Sequence, residues 1–178
     1  MNIIVETIKT LFILIPAYIA NASPTLIKGK HPIDFKKRFG KNRLFGDGKT
    51  IEGFIFGTII GTLSGFILIY IYPLINTFTN VYGFSLPQLN LYTVFLISTG
   101  ALTGDLIGSF IKRRLNYKRG ESILFLDQLD FISGMLLFSY WFVDITLLMV
   151  IIMIILTLIL HRITCIIGYK LKIKKEPW

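Results

Sequence analysis

The stretch from Leu91 to Phe131, LYTVFLISTGALTGDLIGSFIKRRLNYKRGESILFLDQLDF, runs from an apolar segment through a basic one into a second apolar segment. About 20 consecutive apolar residues are enough for a helix to cross a bilayer. The whole chain is 53% hydrophobic, with a mean hydropathy of +0.68, whereas soluble domains contain about 45–50% apolar residues. The composition therefore predicts an all-α integral membrane protein and argues against a soluble domain.

The order of apolar and basic segments predicts the topology. Five membrane spans are expected, at residues 3–20, 52–72, 91–111, 123–143 and 145–169, and the basic segments are 21–50, 112–122 and 170–178. Eight Lys or Arg lie in 21–50, five in 112–122 and five from Arg162 onward, which leaves only Lys9. Because Lys and Arg collect on the cytoplasmic side, we expect a single membrane-embedded domain over 1–178, with its N-terminus outside and its C-terminus in the cytoplasm.

Three shorter features have simple explanations. The sequence ANAS at 20–23 resembles a signal-peptidase site, but a strongly basic segment follows it, so we favour a retained first span. Cys165 is the only cysteine, which excludes a disulfide framework. The net charge of +9 is typical of cytoplasmic loops next to anionic lipids, and we expect no nucleic-acid partner.

Glycine recurs at every fourth position in two of the predicted spans. The two series are Gly53, Gly57, Gly61 and Gly65, and Gly100, Gly104 and Gly108. A spacing of four places each series on one helix face, where small residues allow close helix packing. The series therefore predict packing seams, and a smooth groove for a lipid tail is a compatible alternative.

Three acids lie within the predicted spans near the cytoplasmic side: Asp105, Asp127 and Asp130. A charge within a spanning helix costs about 2.5–3.5 kcal/mol, so these carboxylates need partners. Asp127 and Asp130 share a helix face, and Asp105 shares one with Ser109 and Lys112. Together the acids have the chemistry of a Mg²⁺ site. Two alternatives stay open: ion pairs with Arg113, Arg114 or Lys118 that only hold the helices together, and a proton or cation path through a transporter.

Basic residues lie directly beside these acids. Lys112, Arg113, Arg114, Lys118 and Arg119 follow the third span. Acids for a metal and bases for phosphates are the groups that phosphoryl and nucleotidyl transfer require. The sequence GDGKT at 46–50 adds Lys49 as a further phosphate ligand. It is not a Walker A motif, because Arg43 stands where that motif has its first glycine.

The motifs GDLIGSFIKRR and LDQLDF resemble the C-terminal signature of the CDP-diacylglycerol synthase superfamily. The matching residues are Gly104, Asp105, Leu106, Ser109, Lys112, Arg113, Asp127 and Asp130, and Gln128 stands where that signature has Arg. The chain as a whole resembles the short archaeal branch of the superfamily, the CDP-archaeol synthases. That likeness runs from IPAYIANASP through GDGKTIEG and FLDQLDF to the terminal PW.

The resemblance implies a cytidylyltransferase of the cell membrane with its active site on the cytoplasmic side. It implies transfer of CMP from CTP to 2,3-di-O-geranylgeranyl-sn-glycerol 1-phosphate, an unsaturated diether lipid, giving CDP-archaeol and pyrophosphate with Mg²⁺. In this assignment the metal ligands are Asp105, Asp127 and Asp130, which are catalytic together with Lys112. The substrate-binding residues are Asn21, Ser23, Lys49, Ser109, Arg113, Arg114 and Lys118. For His161 and Arg162 we favour anchoring at the membrane interface over a role in the site.

Two other functions remain as alternatives: a polyprenol-type lipid kinase, which nucleotide specificity would separate, and an ion- or proton-coupled transporter. A CDP-alcohol phosphotransferase is disfavoured, because its D-G-x-x-A-R motif does not occur in the sequence.

Overall fold

The computed structural model describes residues 2–40, 42–118, 121, 123 and 125–170, and this part of the chain folds into five α-helices. They are α1 Ile3–Ala22, α2 Ile51–Val81, α3 Leu91–Arg114, α4 Leu126–Ser139 and α5 Leu147–Lys170. A short 3₁₀ helix, Ser23–Leu26, follows α1. The two-residue strands β1 Arg38–Phe39 and β2 Asn42–Arg43 pair as an antiparallel hairpin. The predicted all-helical fold class is confirmed.

Two helices differ most in length from the predicted spans. α2 continues from the predicted end at residue 72 through Pro73 to Val81, because the uncharged polar residues that follow Pro73 remain compatible with a helix. α4 has 14 residues and is about 21 Å long, less than the roughly 30 Å hydrocarbon core of a bilayer. It begins after residue 123 because Phe125 has a φ of 68°, which helical backbone does not allow.

Three helical segments of the described chain are long and apolar enough to cross a membrane: Ile3–Leu26, Ile51–Val81 and Leu91–Arg114. In α5 the apolar stretch Leu147–Leu160 is shorter than these. Its outward side chains recur every four residues, and Ile151, Ile155 and Ile159 are about half exposed. A helix bundle with such apolar outer faces is suited to lipid contact.

α1 lies at the centre of the bundle, between α2, α3 and α5. Its residues Ile13, Leu14 and Ala17 are fully buried. The Tyr18 hydroxyl bonds to the Thr157 hydroxyl of α5 at 2.6 Å. This central position brings the C-terminal end of α1 next to the polar segment that precedes α2.

The glycine series pack as predicted. On α2, a Cβ at Gly57 would lie 2.8 Å from the Ala20 carbonyl oxygen of α1, and one at Gly65 would overlap Val94 of α3. On α3, a Cβ at Gly104 would fall on the carbonyl oxygen of Asp130 in α4. At Gly57 and Gly104 the missing side chain lets helix backbones meet directly, whereas Gly65 makes room for the Val94 side chain. α3 and α4 form the most extensive helix contact in the described chain.

Candidate active site

The first charged contact of the site joins the segment before α2 to α3. Lys49 Nζ donates to Asp105 Oδ2, and both side chains are about one-quarter exposed. The backbone of Lys49 is fixed because its carbonyl accepts from Ile33 N at 2.9 Å. Thr50 then caps α2 by accepting from Gly53 N at 3.1 Å. A lysine 56 residues away in sequence is thereby held against the acid of α3.

The second charged contact joins α3 to α4. Lys112 Nζ donates to both carboxylate oxygens of Asp127 at 2.9 Å. Asp127 Oδ2 also accepts from Ile123 N at 3.2 Å. Side-chain exposure is 14% for Lys112 and 21% for Asp127, so the pair is only partly screened by solvent. It ties the last turn of α3 to the first turn of α4.

Asp130 lies between these two ion pairs. Its Oδ1 accepts from Phe131 N at 2.6 Å, and its Oδ2 faces the bare backbone of Gly108. It is close enough to Asp105, Asp127 and Lys49 for their charges to act on it. The three predicted acids therefore lie near one another at the contact between α3 and α4.

The chemistry of these donors suits Mg²⁺, which prefers carboxylate oxygens. Two of the three carboxylates are bound to lysines. Over the described residues, no group of three or more His, Cys, Asp or Glu side chains is placed to hold a metal ion. The three carboxylates are thus chemically suitable for Mg²⁺, and two of them are paired with lysine ammonium groups.

A polar cavity of about 600 Å³ opens on one side of α3. Asp105 and Lys49 lie in its wall, together with the predicted substrate-binding residue Asn21. The remaining lining residues are Pro24, Thr25, Ile27, Lys28, Gly29, Ile33, Asp47, Gly48, Thr50, Gly53, Phe54, Leu102 and Leu106. A cavity with lysines, hydroxyls and glycine backbone has the groups that bind phosphates and polar rings.

A second cavity, of about 430 Å³, lies on the neighbouring face of α3 and is almost wholly apolar. Gly104 and Gly108 form its floor, and Asp130 is its one charged lining residue. The other lining residues are Ile107, Ile111, Phe125, Leu126, Leu129, Ser133, Gly134 and Leu137. The glycines of α3 thus serve both as a packing seam and as a smooth groove, the two roles expected from the sequence.

Several predicted substrate-binding residues lie away from these cavities. Ser23 is buried and donates to the Ala20 carbonyl. Ser109 is half-buried on α3 and lines neither cavity. Lys118 is exposed, and its backbone N donates to Glu121 at 2.6 Å.

The two arginines at the end of α3 support a loop. Arg113 donates to the carbonyls of Phe45 and Tyr117. Arg114 donates to the carbonyls of Phe39, at 2.7 Å, and Arg43, at 2.6 Å. Ion pairs between the acids and these arginines were an alternative from the sequence, but the acids pair with Lys49 and Lys112 instead. Arg162 is exposed, whereas the side chain of His161 and the whole of Arg119 lie outside the described residues.

Asp34 was missed by the sequence analysis. Its side chain is fully buried and accepts from Arg43 at 2.5 Å and from the backbone N of Lys36, Phe45 and Gly46 at 3.0–3.2 Å. Burial alone would raise the pKa of this carboxyl, but these hydrogen bonds outweigh burial and lower the pKa to about 2. A lone Asp in a polar loop has no periodic pattern, so only the tertiary structure identifies it as the anchor of residues 34–46.

The low pKa of Asp34 makes part of the stability pH-dependent. A carboxyl whose pKa is lower in the folded protein stabilises the fold above its unfolded pKa, near 4, and this contribution disappears as the pH falls through about 2. We expect Asp34→Asn to lower the unfolding free energy by about 2 kcal/mol at neutral pH. The difference from the parent protein should shrink between pH 4 and pH 2.

Thermal unfolding of detergent-solubilised protein across this pH range measures the effect. Asp47→Asn is the matched control, because Asp47 also binds Arg43 but is 62% exposed. A deficit of Asp34→Asn that stays constant from pH 7 to pH 2 would contradict the assignment.

Comparisons with known proteins show the family of this chain. The sequence model of the family described as "CarS-like: CDP-archaeol synthase" matches residues 1–178. The chain belongs to the CDP-archaeol synthase family. It is 42% identical over 172 residues to the CDP-archaeol synthase of Methanocaldococcus jannaschii, covering 95% of this chain and 96% of that protein. It is 43% identical over 172 residues to that of Pyrobaculum islandicum, covering 94% and 96%.

A solved structure described as "Structural insight into an intramembrane enzyme for archaeal membrane lipids biosynthesis" is also similar. Its TM-score is 0.70 at 35% identity, covering 85% of this chain and 89% of that one. As a CDP-archaeol synthase family member, the chain is a CTP-dependent cytidylyltransferase of archaeal lipid biosynthesis. The charged point between α3 and α4 is therefore the candidate site of nucleotidyl transfer.

Proposed function

We propose that CTP occupies the polar cavity and that the lipid substrate occupies the apolar one, so that the two meet at the acids between α3 and α4. The observation that carries this proposal is the position of two adjacent residues of α3. Gly104 lines the apolar cavity, whereas Asp105 lines the polar one. The proposed lipid is 2,3-di-O-geranylgeranyl-sn-glycerol 1-phosphate, for which the sequence resemblance is the support.

The proposed reaction is a single displacement at phosphorus. An oxygen of the lipid phosphate attacks the α-phosphorus of CTP and forms the new P–O bond. The bond from the α-phosphorus to the bridging β-phosphate oxygen breaks, and pyrophosphate leaves with that electron pair. The phosphate nucleophile is already ionised, so no side chain has to remove a proton from it. The protein's task is to position the two phosphates and offset their charge.

We assign the task of offsetting that charge to Lys49 and Lys112. Each ammonium group now binds a carboxylate of the site. Phosphate oxygens compete with carboxylates for such cations. We therefore infer that the arriving triphosphate takes Lys49 as a partner, which frees the carboxylate of Asp105.

Asp105, Asp127 and Asp130 are the residues that would hold Mg²⁺. When bound, the metal would neutralise phosphate charge that develops during the displacement. The requirement for Mg²⁺ is part of this proposal, supported by the carboxylate donors and by the resemblance.

We also propose five membrane spans, with the N-terminus outside, the C-terminus in the cytoplasm and the active site on the cytoplasmic side. The support is the distribution of Lys and Arg. The polar cavity is lined by Lys28, Asp47 and Lys49 of the first basic segment. In the proposed topology this segment faces the cytoplasm, where CTP is available.

The test is an assay of purified protein in detergent with radiolabelled CTP, Mg²⁺ and the diether glycerol phosphate. We expect labelled lipid in the organic phase. No labelled lipid should form when the metal is chelated, or when ATP labelled in the α-phosphate is supplied in place of CTP. A parallel lane with ATP labelled in the γ-phosphate detects a lipid kinase. Folded protein that transfers no label from CTP to diether or diester lipid phosphates would refute the proposal. Product in the γ-labelled lane would then indicate the kinase, and ion flux in liposomes would indicate the transporter.

A further inference from the structure

The loop between α1 and α2 presents two aromatic rings to the outside with three cations between them. All residues from Phe35 to Gly40 are exposed. Phe35 is 70% exposed and Phe39 is 66% exposed. Lys36, Lys37 and Arg38 separate the two rings. We call residues 35–40 together with residues 42 and 43 the basic hairpin.

The exposure of Phe35 is built into the fold. Phe35 and Lys36 have φ values of 47° and 62°, a region that is unfavourable for side chains other than glycine. The turn is held there by Asp34, which is buried directly before it and accepts from Lys36 N at 3.0 Å. Unfavourable backbone that is held in place by its surroundings is often functional. Here the strained turn keeps the apolar ring of Phe35 out of the core.

The basic hairpin lies where the apolar surface of α3 ends. The Arg114 guanidinium lies 5.1 Å from the Phe39 ring and 5.0 Å from the Phe110 ring of α3. On the same turns of α3, Ile107 is 47% exposed and Ile111 is 37% exposed. The Arg114 guanidinium thus lies between the Phe39 ring and the apolar side chains of α3, which suit the hydrocarbon core of a bilayer. Basic side chains at the end of an apolar helix are typical of the membrane–water interface.

We propose that the basic hairpin is an interfacial anchor that binds the surface of an anionic bilayer. Phe35 and Phe39 enter the headgroup region, and Lys36, Lys37 and Arg38 face lipid phosphates. A basic side chain near an anionic membrane surface contributes about 1 kcal/mol, and exposed rings add apolar contact with the acyl boundary. Charge complementarity identifies the partner as anionic lipid.

The anchor is connected to the active site through short contacts. Asn42 Nδ2 donates to the Arg113 carbonyl at 2.8 Å, and Arg114 binds two carbonyls of the basic hairpin. These arginines follow Lys112 directly in α3. The proposal does not depend on the proposed lipid substrate, since it concerns the bulk bilayer.

A fluorescent label at Phe35 tests the proposal. Cys165→Ser removes the only native cysteine, and Phe35→Cys then carries an environment-sensitive nitrobenzoxadiazole label. The full-length protein is reconstituted into vesicles of zwitterionic lipid, with or without anionic lipid. We expect shorter-wavelength emission, and quenching by lipids spin-labelled near the headgroup, in the anionic vesicles. Neutralising Lys36, Lys37 and Arg38 with Gln should lower the anionic preference by about fivefold per cation.

Lys28→Cys is the control position, since Lys28 is exposed at the polar cavity and lies beyond the apolar segment Ile3–Leu26. Its label should emit as in water in every vesicle. Phe39→Cys is a second reporter in case a label at Phe35 prevents folding, which thermal unfolding detects. Water-like emission from both hairpin labels in anionic vesicles would overturn the proposal. So would equal quenching in zwitterionic vesicles, or a shift that appears only when the diether glycerol phosphate is added.

Discussion

The Asp127→Asn variant is expected to lower kcat for CMP transfer by about 10²–10³-fold, the usual loss when one preorganised charge at a reaction site is removed. Asp127 binds Lys112 through both carboxylate oxygens at 2.9 Å and is one of the three proposed metal ligands. Asparagine keeps the size of the side chain but removes the negative charge that both roles need. The measurement is initial-rate formation of labelled lipid at saturating CTP.

Asp144→Asn is the matched control for this experiment. Asp144 is exposed in the turn before α5, so the same chemical change there should leave kcat within about twofold, as expected for surface substitutions. Lys112→Met separates the two roles of Asp127. If Asp127 acts only by orienting Lys112, the variant that carries both Asp127→Asn and Lys112→Met should be no slower than Lys112→Met alone. Full activity of the folded Asp127→Asn protein would show that Asp127 is not a catalytic residue.

The Gly104→Val substitution is expected to lower the free energy of unfolding by about 3 kcal/mol, which is at the upper end of the usual cost of overpacking. A Cβ at Gly104 would fall on the Asp130 carbonyl oxygen and lie 3.0 Å from the Gly134 Cα. Neither atom is the end of a flexible side chain, so α4 as a whole would have to move away from α3. Thermal unfolding in detergent measures the loss.

Movement of α4 would also separate Asp127 and Asp130 from Asp105, because the acids belong to the two helices. We therefore expect Gly104→Ala, a smaller change, to reduce CMP transfer at temperatures where the protein is still folded. Ala22→Val adds side-chain volume at an exposed position of α1 and should alter neither property. A stable and active Gly104→Val protein would show that the contact between α3 and α4 is looser than the structure has it.

The sequence predicted the features that depend on local composition. The apolar runs predicted the helices, and the start of α3 at Leu91 agrees with the prediction. The sequence predicts that α3 ends at residue 111, because charged residues follow. The helix runs to Arg114 instead, since basic residues are favourable in a last turn and these arginines bind the adjacent loop. The glycine spacing predicted a packing seam on α3 because a four-residue period fixes a helix face, and the structure identifies α4 as the helix that packs there.

The sequence could not predict which charges would pair. The spacing of Asp105, Asp127 and Asp130 indicated a shared site, yet nothing local indicates that Lys49 reaches across 56 residues to Asp105. Arg113 and Arg114 looked equivalent to Lys112 as phosphate ligands. The difference arises from the loop at residues 34–46, whose carbonyls they bind and whose position depends on the buried Asp34. Such assignments depend on tertiary contacts, which neither charge nor periodicity encodes.

The short length of α4 has a consequence for the bilayer itself. If α4 crosses the membrane as proposed, its 14 residues, about 21 Å, meet a hydrocarbon layer of about 30 Å. α2, with 31 residues in the same bundle, has the opposite hydrophobic mismatch. A short span thins the lipid around it, so the headgroup plane would dip beside α4, next to the apolar cavity. A lipid phosphate in that depression would already be level with Asp127 and Asp130, without having to leave the membrane.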